Sequence, residues 1–428
     1  MRNVPNLVMA PAFILLLLAV LLPCATASAQ EKSASAPAAA PAWRTGLWAD
    51  ANFFPVAVWL QPPKRAKDYK AAGVNLYVGL WKGPTEAQLA TLKEARLPVI
   101  CEWNDVAIRD IRGKDPIIVG WLQGDEPDIA HAHAWEDLRT REKPSETFGA
   151  MQPPVHPDRV VRDYKLIHAI DPTRPVFTSF SLAVAYGDYV ARGNRKNHPE
   201  DFPEYLKGLD IAAFDIYPGI HQYTPANGKY WTIAKGTRQL VEWTRAAGKA
   251  AWVDIEAMAP RLEHSPHTMK AEVWMAIVHG AQGINYYVHQ NASGRLPIPA
   301  IEDSVFTDGN MLTAFTETNK LLNSLAPVLN SPAVGGGVKV SSSVPASKEV
   351  ADAGLEPIAA MVKKHAGATY LFAVRMEDSP ATGAFELKGL PAKAKAEVLG
   401  ENRSVEIDVG KFTDSFQGMD AHIYRVAP

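Results

Sequence analysis

A regular alternation of short β-rich apolar runs and amphipathic helical segments extends from residue 53 to residue 325. The apolar runs read "FFPVAVWL", "GVNLYVGLW", "LPVICEW", "PIIVGWLQ", "PVFTSFS", "DIAAFDIYP", "KAAWVDIEA" and "GINYYVH". Strands that alternate with helices imply right-handed crossovers and a parallel sheet. Eight such units in roughly 280 residues match the count and size of a (β/α)8 barrel, the TIM barrel. We therefore predict an α/β fold of this type.

The connections in this pattern are unequal in length. Connections from helix to strand are short, such as "AAG" before Val74 and "AQG" before Ile284. Connections from strand to helix are long at residues 128–154, 182–197 and 289–308. Long loops therefore gather at the carboxyl ends of the strands, where barrels of this type keep their functional sites.

A different pattern begins near Gly335. The runs "ATYLFAVRM", "GAFELKGL", "KAEVLG", "RSVEIDVG" and "HIYRV" are short, alternating and separated by Gly, Pro or Asn. They predict a small antiparallel β-sandwich. We therefore divide the chain into a barrel at residues 43–332 and a β-sandwich at residues 333–428.

The first 42 residues lie outside this predicted fold. Residues 1–29 have one arginine, a long apolar core and a terminal "ASA", which is the pattern of a signal peptide. Residues 30–42 are an Ala/Pro/Ser-rich spacer. We expect a secreted or periplasmic protein without stable membrane association after signal removal. A lipid anchor at Cys24 is disfavoured by the proline before it, and Cys101 would then remain the single cysteine.

Charge excludes one class of partner. Signal removal takes away Arg2, leaving 43 of the 44 basic residues against 46 acidic residues. A chain so close to neutral has no electrostatic footprint for nucleic acid.

Side-chain alternation predicts which residues face the barrel interior. In the seventh strand, Ala251, Val253 and Ile255 form the apolar set that the helices require. Asp254 and Glu256 then face inward. The same alternation in the other strands predicts that these side chains face inward: Trp59, Gln61, Tyr77, Trp81, Glu102, Asn104, Asp215, Tyr217, Asn285, Tyr287 and His289. A purely structural interior would carry Val, Ile and Leu there, so we predict a functional site.

Two glutamates stand out at strand ends. Glu126 follows the fourth strand within "GDEP", and Glu256 ends the seventh. An acidic N-cap accounts for Asp125 but not for a second acid beside it, which favours a catalytic role for Glu126. A carboxylate on the inward set of a buried strand is costly unless it has a function, which favours a similar role for Glu256.

At these two residues the chain resembles the clan A retaining glycoside hydrolases. In that clan the acid/base glutamate ends the fourth barrel strand and the nucleophile ends the seventh, which matches Glu126 and Glu256. The clan's tyrosine at the sixth strand, which hydrogen-bonds the nucleophile, matches Tyr217 in "FDIYPG". The tail also resembles the β-sandwich that these enzymes often carry.

Three departures from the clan pattern concern the substrate. Asp125 stands where the clan usually has asparagine, and the second strand has no counterpart of the usual arginine. Tyr287 and His289 replace the tryptophan that is common at the end of the eighth strand. The substrate therefore does not carry over from any one family of the clan.

The resemblance implies an exported enzyme that cleaves O-glycosidic bonds of an oligo- or polysaccharide with retention. Glu256 would be the nucleophile and Glu126 the acid/base, with carboxyl groups about 5–5.5 Å apart. We expect the remaining sugar contacts from these residues: Asp125, Tyr217, Trp59, Trp81, Asn104, Tyr287 and His289. The alternative is a carbohydrate-binding protein on a barrel that has lost catalysis, which would not need both glutamates.

Metal and cofactor chemistry are not expected from the motifs. The "HAHAW" segment at residues 131–135 lies past Glu126, and two histidines one residue apart diverge on a helix. We therefore predict no metal site and no cofactor.

Overall fold

The computed structural model describes residues 43–130, 154–220, 223–291 and 299–427. The predicted signal peptide and spacer, Cys24 and the "HAHAW" segment lie outside these residues. Within the described ranges, no helix combines the length and the apolar character needed to cross a bilayer.

The amino-terminal part forms the predicted parallel barrel. Its strands are β1 Val56–Trp59, β2 Leu76–Val78, β3 Val99–Cys101, β4 Ile118–Asp125, β5 Val176–Phe180, β6 Ile211–Phe214, β7 Ala250–Ala251, β8 Val253–Glu256 and β9 Ile284–Tyr287. β7 and β8 are two halves of the seventh barrel strand, separated by Trp252. β7 pairs with β6 and β8 pairs with β9, so the sheet closes into a ring.

Helices surround this ring and connect successive strands. They are α1 Ala66–Ala71, α2 Glu86–Ala95, α3 Asp105–Ile111, α4 Pro157–Ile170, α5 Asp201–Tyr205, α6 Trp231–Ala247, α7 Pro266–Val278, α8 Gly309–Ser324 and α9 Ala326–Leu329. Short 3-10 turns lie at Gly46–Ala49, Pro63–Arg65, Leu182–Val184, Val190–Arg195, Leu206–Gly208, Pro218–Ile220, Thr224–Ala226 and Ser304–Thr307. The large apolar core lies between the helices and the outer face of the sheet.

The predicted alternation holds on the sixth, seventh and eighth strands, except at Glu256 on the rim. Their outward sets pack in the core under the helices, and Trp252 packs in a separate cluster inside the barrel. The prediction for the second strand is wrong. Leu76 and Val78 lie inside the barrel, whereas Tyr77 packs under the helices. Both sets of this strand are largely apolar, so the sequence gives no contrast from which to choose.

The carboxyl-terminal part is an antiparallel β domain. Its elements are β10 Val338–Ser342, α10 Lys348–Asp352, β11 Ile358–His365, β12 Ala368–Arg375, β13 Ala381–Leu387, β14 Lys393–Val398, β15 Arg403–Asp408, β16 Lys411–Phe416 and β17 Ala421–Val426. The strand order is β10-β13-β16-β15-β14-β17-β12-β11. The aromatic rings of Phe385, Phe412 and Tyr424 meet in its own core. Together with the barrel, this domain confirms the predicted fold class.

The β domain packs against the barrel through α7. The Trp274 ring of α7 stacks on Phe372 of β12, with centroids 5.9 Å apart. Lys363 of β11 donates to the carbonyl oxygens of Leu329 and Ser331, at the end of α9 and just after it. α7 therefore lies between β12 and the seventh barrel strand, which it also contacts.

Candidate active site

A cavity of about 160 Å³ lies at the carboxyl ends of the barrel strands. Four carboxylic acids and three aromatic rings line it: Trp59, Asp125, Glu126, Asp215, Tyr217, Asp254 and Tyr287. A larger depression of about 680 Å³ lies at the opposite end, beside the β domain, and its charged lining is mainly basic. Barrels of this type bind and convert their substrates at the carboxyl ends of the strands, so the smaller cavity is the candidate site.

A shift in strand register and the turn that follows it deliver two adjacent acids to this cavity. The pairing of β4 with β5 slips between Leu122 and Asp125, which is a β-bulge, and bulges re-aim side chains beside functional sites. Without it, alternation from Leu122, which lies inside the barrel, would turn Asp125 outward. The left-handed turn at Glu126 brings this second acid into the cavity as well.

The turn after β4 holds Glu126 in a strained conformation. Its φ is 41°, in the left-handed region that a residue with a Cβ adopts at a cost of about 1–2 kcal/mol. The Glu126 amide donates to the Ser179 carbonyl oxygen over 2.9 Å. Asp128, fully buried, accepts from the Ser181 amide at 3.0 Å and from its hydroxyl at 2.6 Å. These bonds anchor both ends of "DEPD" to β5 and impose the strain, which is typical of functional sites.

Glu126 and Asp215 form a hydrogen-bonded pair of carboxyl groups. Burial and the negative charge of Asp128 raise the pKa of Glu126 to about 7, against the lowering effect of the Asp215 hydrogen bond. Burial, followed by the charges of Glu126 and Asp254, raises the pKa of Asp215 well above its ordinary value. Asp215 therefore stays protonated and donates a hydrogen bond to the Glu126 carboxylate when that group ionises.

Asp254 occupies the seventh-strand position in the cavity. Its Oδ2 accepts from the Ser179 hydroxyl at 2.5 Å, and its Oδ1 accepts from Asn285 Nδ2 at 2.7 Å. Burial raises its pKa to about 7, and these two donors oppose that effect. They also fix the carboxyl plane. Ser179 thereby contacts both Glu126 and Asp254, through its carbonyl and its hydroxyl.

Aromatic rings form the walls of the cavity. Tyr217 and Tyr287 stack with centroids 4.8 Å apart and an interplanar angle of 22°. Asn291 Nδ2 donates to the Tyr287 hydroxyl at 2.8 Å. Trp59, at the end of β1, contributes a third ring. A small cavity with apolar rings and convergent polar groups is the ordinary form of a small-molecule site.

Glu256 does not line this cavity, which corrects the expectation that it faces Glu126. Its side chain is fully buried, and its Oε1 accepts from the Gly219 amide at 2.6 Å. The carboxyl group contacts Glu272 of α7 rather than Tyr217. Backbone amides after β6 draw the side chain away from the barrel interior and under the helix layer.

Three further predicted sugar contacts lie elsewhere. Trp81 is 65% exposed and outside the cavity lining. Asn104 caps α3, because its Oδ1 accepts from the Ala107 amide at 2.9 Å. His289 lies behind Trp59, with Nε2 3.3 Å from the Trp59 carbonyl oxygen, and burial lowers its pKa. Asp125, Tyr217, Trp59 and Tyr287 do line the cavity, as expected.

Two acids of the cavity were not among the predicted site residues. Alternation predicts that Asp215 and Asp254 face inward, but the requirement for a glutamate at each strand end leaves both out of the predicted site. The signal was present in the sequence: each is a charged residue inside an otherwise apolar strand, "AAFDIY" and "WVDIE". Their common destination follows from the barrel geometry.

Comparisons with known proteins find similarity at the level of structure. No protein-family model and no curated sequence matches this chain. An Anoxybacillus α-amylase matches with 9% identity, covering 89% of this chain and 99% of its own, at a TM-score of 0.50. A Geobacillus thermoleovorans α-amylase matches with 10% identity, 88% and 99% coverage and a TM-score of 0.50.

A third match is Gan42B, a GH42 β-galactosidase, with 9% identity, 88% and 98% coverage and a TM-score of 0.53. The matches extend over most of each chain, so they include the barrel and the domain that follows it. The chain therefore has the TIM-barrel fold, followed by a β domain, that these glycosidases share.

Proposed function

We propose that the protein is an exported glycoside hydrolase that cleaves O-glycosidic bonds of an oligo- or polysaccharide. The observation that carries the proposal is the cavity: four carboxyl groups and three aromatic rings meet at the carboxyl ends of the barrel strands. Glycoside hydrolysis needs two carboxyl groups in different protonation states. Acids crowded into one buried site cannot all ionise together, so this cavity supplies both states.

Glu126 is the proton donor in this proposal. Its pKa of about 7 leaves most of this group protonated in slightly acidic solution and about half of it at neutral pH. Asp215 acts on Glu126 by hydrogen bonding and does not itself flank the sugar. Hydrogen-bonded carboxyl oxygens lie about 3 Å apart, whereas a retaining pair needs about 5–5.5 Å to admit the anomeric carbon.

Asp254, in place of Glu256, is the nucleophile that we propose. It belongs to the same seventh strand, lines the cavity and is oriented by Ser179 and Asn285. Its carboxylate would attack the anomeric carbon while Glu126 protonates the departing glycosidic oxygen. Glu126 would then take a proton from water, and that water would release the sugar from the ester with net retention.

The aromatic walls suit a carbohydrate. Trp59 and the stacked pair of Tyr217 and Tyr287 present flat apolar faces beside carboxyl groups that accept hydrogen bonds from hydroxyls. The α-amylases and the β-galactosidase with the same fold act on sugars, which supports this substrate class.

The test is hydrolysis of a panel of aryl glycosides and polysaccharides by matched variants. We expect Glu126→Gln and Asp254→Ala to lose roughly 10²–10⁴-fold in kcat. Azide should restore turnover of Asp254→Ala and yield a glycosyl azide of inverted configuration. Glu256→Ala, from the same strand, is the comparison for rescue: any loss of turnover in this variant should not respond to azide.

Rescue of Glu256→Ala by azide, without rescue of Asp254→Ala, would return the nucleophile to Glu256. Saturable sugar binding by a wild-type protein that turns over no member of the panel would instead support the carbohydrate-binding alternative. Export is tested separately, by sequencing the amino terminus of the protein recovered outside the cytoplasm, which should begin near Gln30.

A further inference from the structure

A second group of ionisable side chains lies behind the candidate active site. It consists of Glu256 at the end of β8, His264 in the following loop and Glu272 on α7, with exposures of 0%, 2% and 0%. One potential ligand atom from each residue lies within 4.8 Å of the other two. We refer to these three residues as the buried triad.

The polar atoms of the triad are poorly satisfied. Among the described residues, Oε2 of Glu256, both carboxyl oxygens of Glu272 and both ring nitrogens of His264 lack a partner of good hydrogen-bond geometry, although the two carboxyl groups contact each other and the Met258 backbone lies within reach of the His264 ring. Native proteins rarely leave so many buried polar atoms in one place, and each such group needs an explanation. The unsatisfied atoms belong to the same three side chains whose potential ligand atoms cluster within 4.8 Å of one another.

Charge balance gives the same indication. Two contacting carboxyl groups are buried together, and burial is the largest cause that raises both of their pKa values. The nearest cation is Arg261, which acts on Glu256 and His264 only at the level of charge interaction. One guanidinium does not balance two buried carboxylates, so a proton or a further cation must reside there.

We propose that Glu256, His264 and Glu272 bind a divalent transition-metal ion of the Zn²⁺ class. One imidazole and two carboxylates are ligands of such ions, and the pair of carboxylates neutralises a charge of +2. A tetrahedral site with metal–ligand distances of about 2.1 Å has ligand atoms about 3.4 Å apart. The triad is slightly wider than this, with His264 Nδ1 3.9 Å from Glu256 Oε1 and the ligand atoms within 4.8 Å of one another, so small side-chain shifts would close it around an ion.

The surroundings match those of ligating side chains. The Gly219 and Ile220 amides donate to Glu256 and orient its carboxylate. The Met258 backbone lies within reach of the His264 ring, and a backbone carbonyl commonly holds the second nitrogen of a ligating histidine. Gly219 also permits the close approach, because a Cβ there would lie 2.8 Å from Glu256 Oε1 and 2.9 Å from His264 Cβ.

The location implies a structural role next to the active site. Glu256 follows Asp254 by two residues, and Gly219 follows Tyr217 by two residues. An ion held by the triad would tie β8 to its following loop and to α7, and would fix the rim that carries both cavity residues.

Metal analysis of the full mature chain tests this inference without any assay of activity. Because the triad is sealed from solvent, uptake should accompany folding. Protein refolded with Zn²⁺ should retain one equivalent after gel filtration and should unfold at a higher temperature than protein refolded with chelator. Refolding with Ca²⁺ should leave neither the ion nor the stabilisation, because imidazole is a poor ligand for hard cations.

Conservative variants locate the ion. Glu272→Gln and His264→Gln should lower the affinity for Zn²⁺ by more than the roughly 10–100-fold that outer-shell partners cost. Glu126→Gln and Asp215→Asn, in the other acidic cluster, should keep one equivalent. Absence of Zn²⁺ and of any thermal shift in the refolded wild type would overturn the inference. So would equal retention of Ca²⁺, or loss of Zn²⁺ in Asp215→Asn.

Discussion

The proton carried by Glu126 should set the alkaline limb of the pH–rate profile. The pKa of this group is raised to about 7, chiefly by burial and by the charge of Asp128. A general acid works only while protonated, and kcat/KM reports the ionisation of the free enzyme. The perturbation is therefore a rise in pH through 7.

The size of the effect follows from that pKa. The protonated fraction of Glu126 is about 0.9 at pH 6 and about 0.1 at pH 8. The proposed nucleophile Asp254, whose pKa is also raised to about 7, must be ionised to react, so kcat/KM should peak near pH 7 and fall about tenfold between pH 8 and pH 9 as Glu126 loses its proton. An ordinary glutamate would already be almost fully ionised at pH 6, so its limb would lie more than two units lower.

The assay compares two aryl glycosides of the same sugar. A 4-nitrophenyl glycoside needs some protonation of its leaving group, whereas a 2,4-dinitrophenyl glycoside needs almost none. The fall of kcat/KM on the alkaline side of pH 7 should be present for the first substrate and absent for the second. In Glu126→Gln it should disappear for both.

Two substitutions of Asp215 test the origin of the shifted pKa. Its hydrogen bond lowers the pKa of Glu126, against the raising effect of burial. Asp215→Asn keeps a donor, so the limb should stay close to its wild-type position. Asp215→Ala removes the donor, so the limb should move to higher pH. A limb that persists in Glu126→Gln, or that moves to lower pH in Asp215→Ala, would refute this account of the acid.

Three further outcomes are expected. Because the folded pKa of Glu126 exceeds the unfolded value near 4.5, the free energy of unfolding should fall as pH rises from 4.5 to 8. Urea unfolding should therefore show that Glu126→Gln gains about 1–3 kcal/mol of stability relative to the wild type over this range. A constant difference between the two proteins would contradict the burial of this charge. Trp59→Ala should raise KM roughly tenfold, because Trp59 lines the cavity. Trp81 is exposed and outside the cavity, so Trp81→Ala should change KM less than about twofold. Equal effects of the two substitutions would place Trp81 in the binding site. Gly236→Ala should lower the free energy of unfolding by about 1–2 kcal/mol in urea, because its Cβ would lie 2.4 Å from a phenylalanine ring of β6. Gly309→Ala has open space around the new Cβ and should not destabilise the protein. A gain of stability in Gly236→Ala would show that the helix can shift.

The barrel was readable from the sequence because two periodicities reinforced each other. Strand–helix alternation gave the element order, and alternation within strands gave the inward set wherever polar and apolar residues differ clearly. The seventh strand shows this contrast in "AAWVDIE", and Trp252 and Asp254 face inward as predicted. In "NLYVGL" both sets are largely apolar, and the prediction for Tyr77 failed.

Part of the site depended on features that no pattern records. The bulge that turns Asp125 into the cavity is a shift in pairing with a strand about fifty residues later. Asn104 carries the residue type of a sugar contact and also that of a helix cap, and the structure uses it as the cap. Choosing between such uses requires the position of the backbone that each side chain reaches.

Glu256 illustrates why alternation loses its force at a barrel rim. It has the same parity as Asp254, but it is the last paired residue of its strand, opposite Tyr287. Within the barrel, neighbouring strands block a side chain from leaving its face. At the rim that restriction ends, and the free amides of Gly219 and Ile220 offer a carboxylate better partners than the cavity does. The premise that a buried acid needs a purpose therefore still holds for Glu256, but the residues around it point to a charge held behind the active site, while Asp254 keeps the position that faces the sugar.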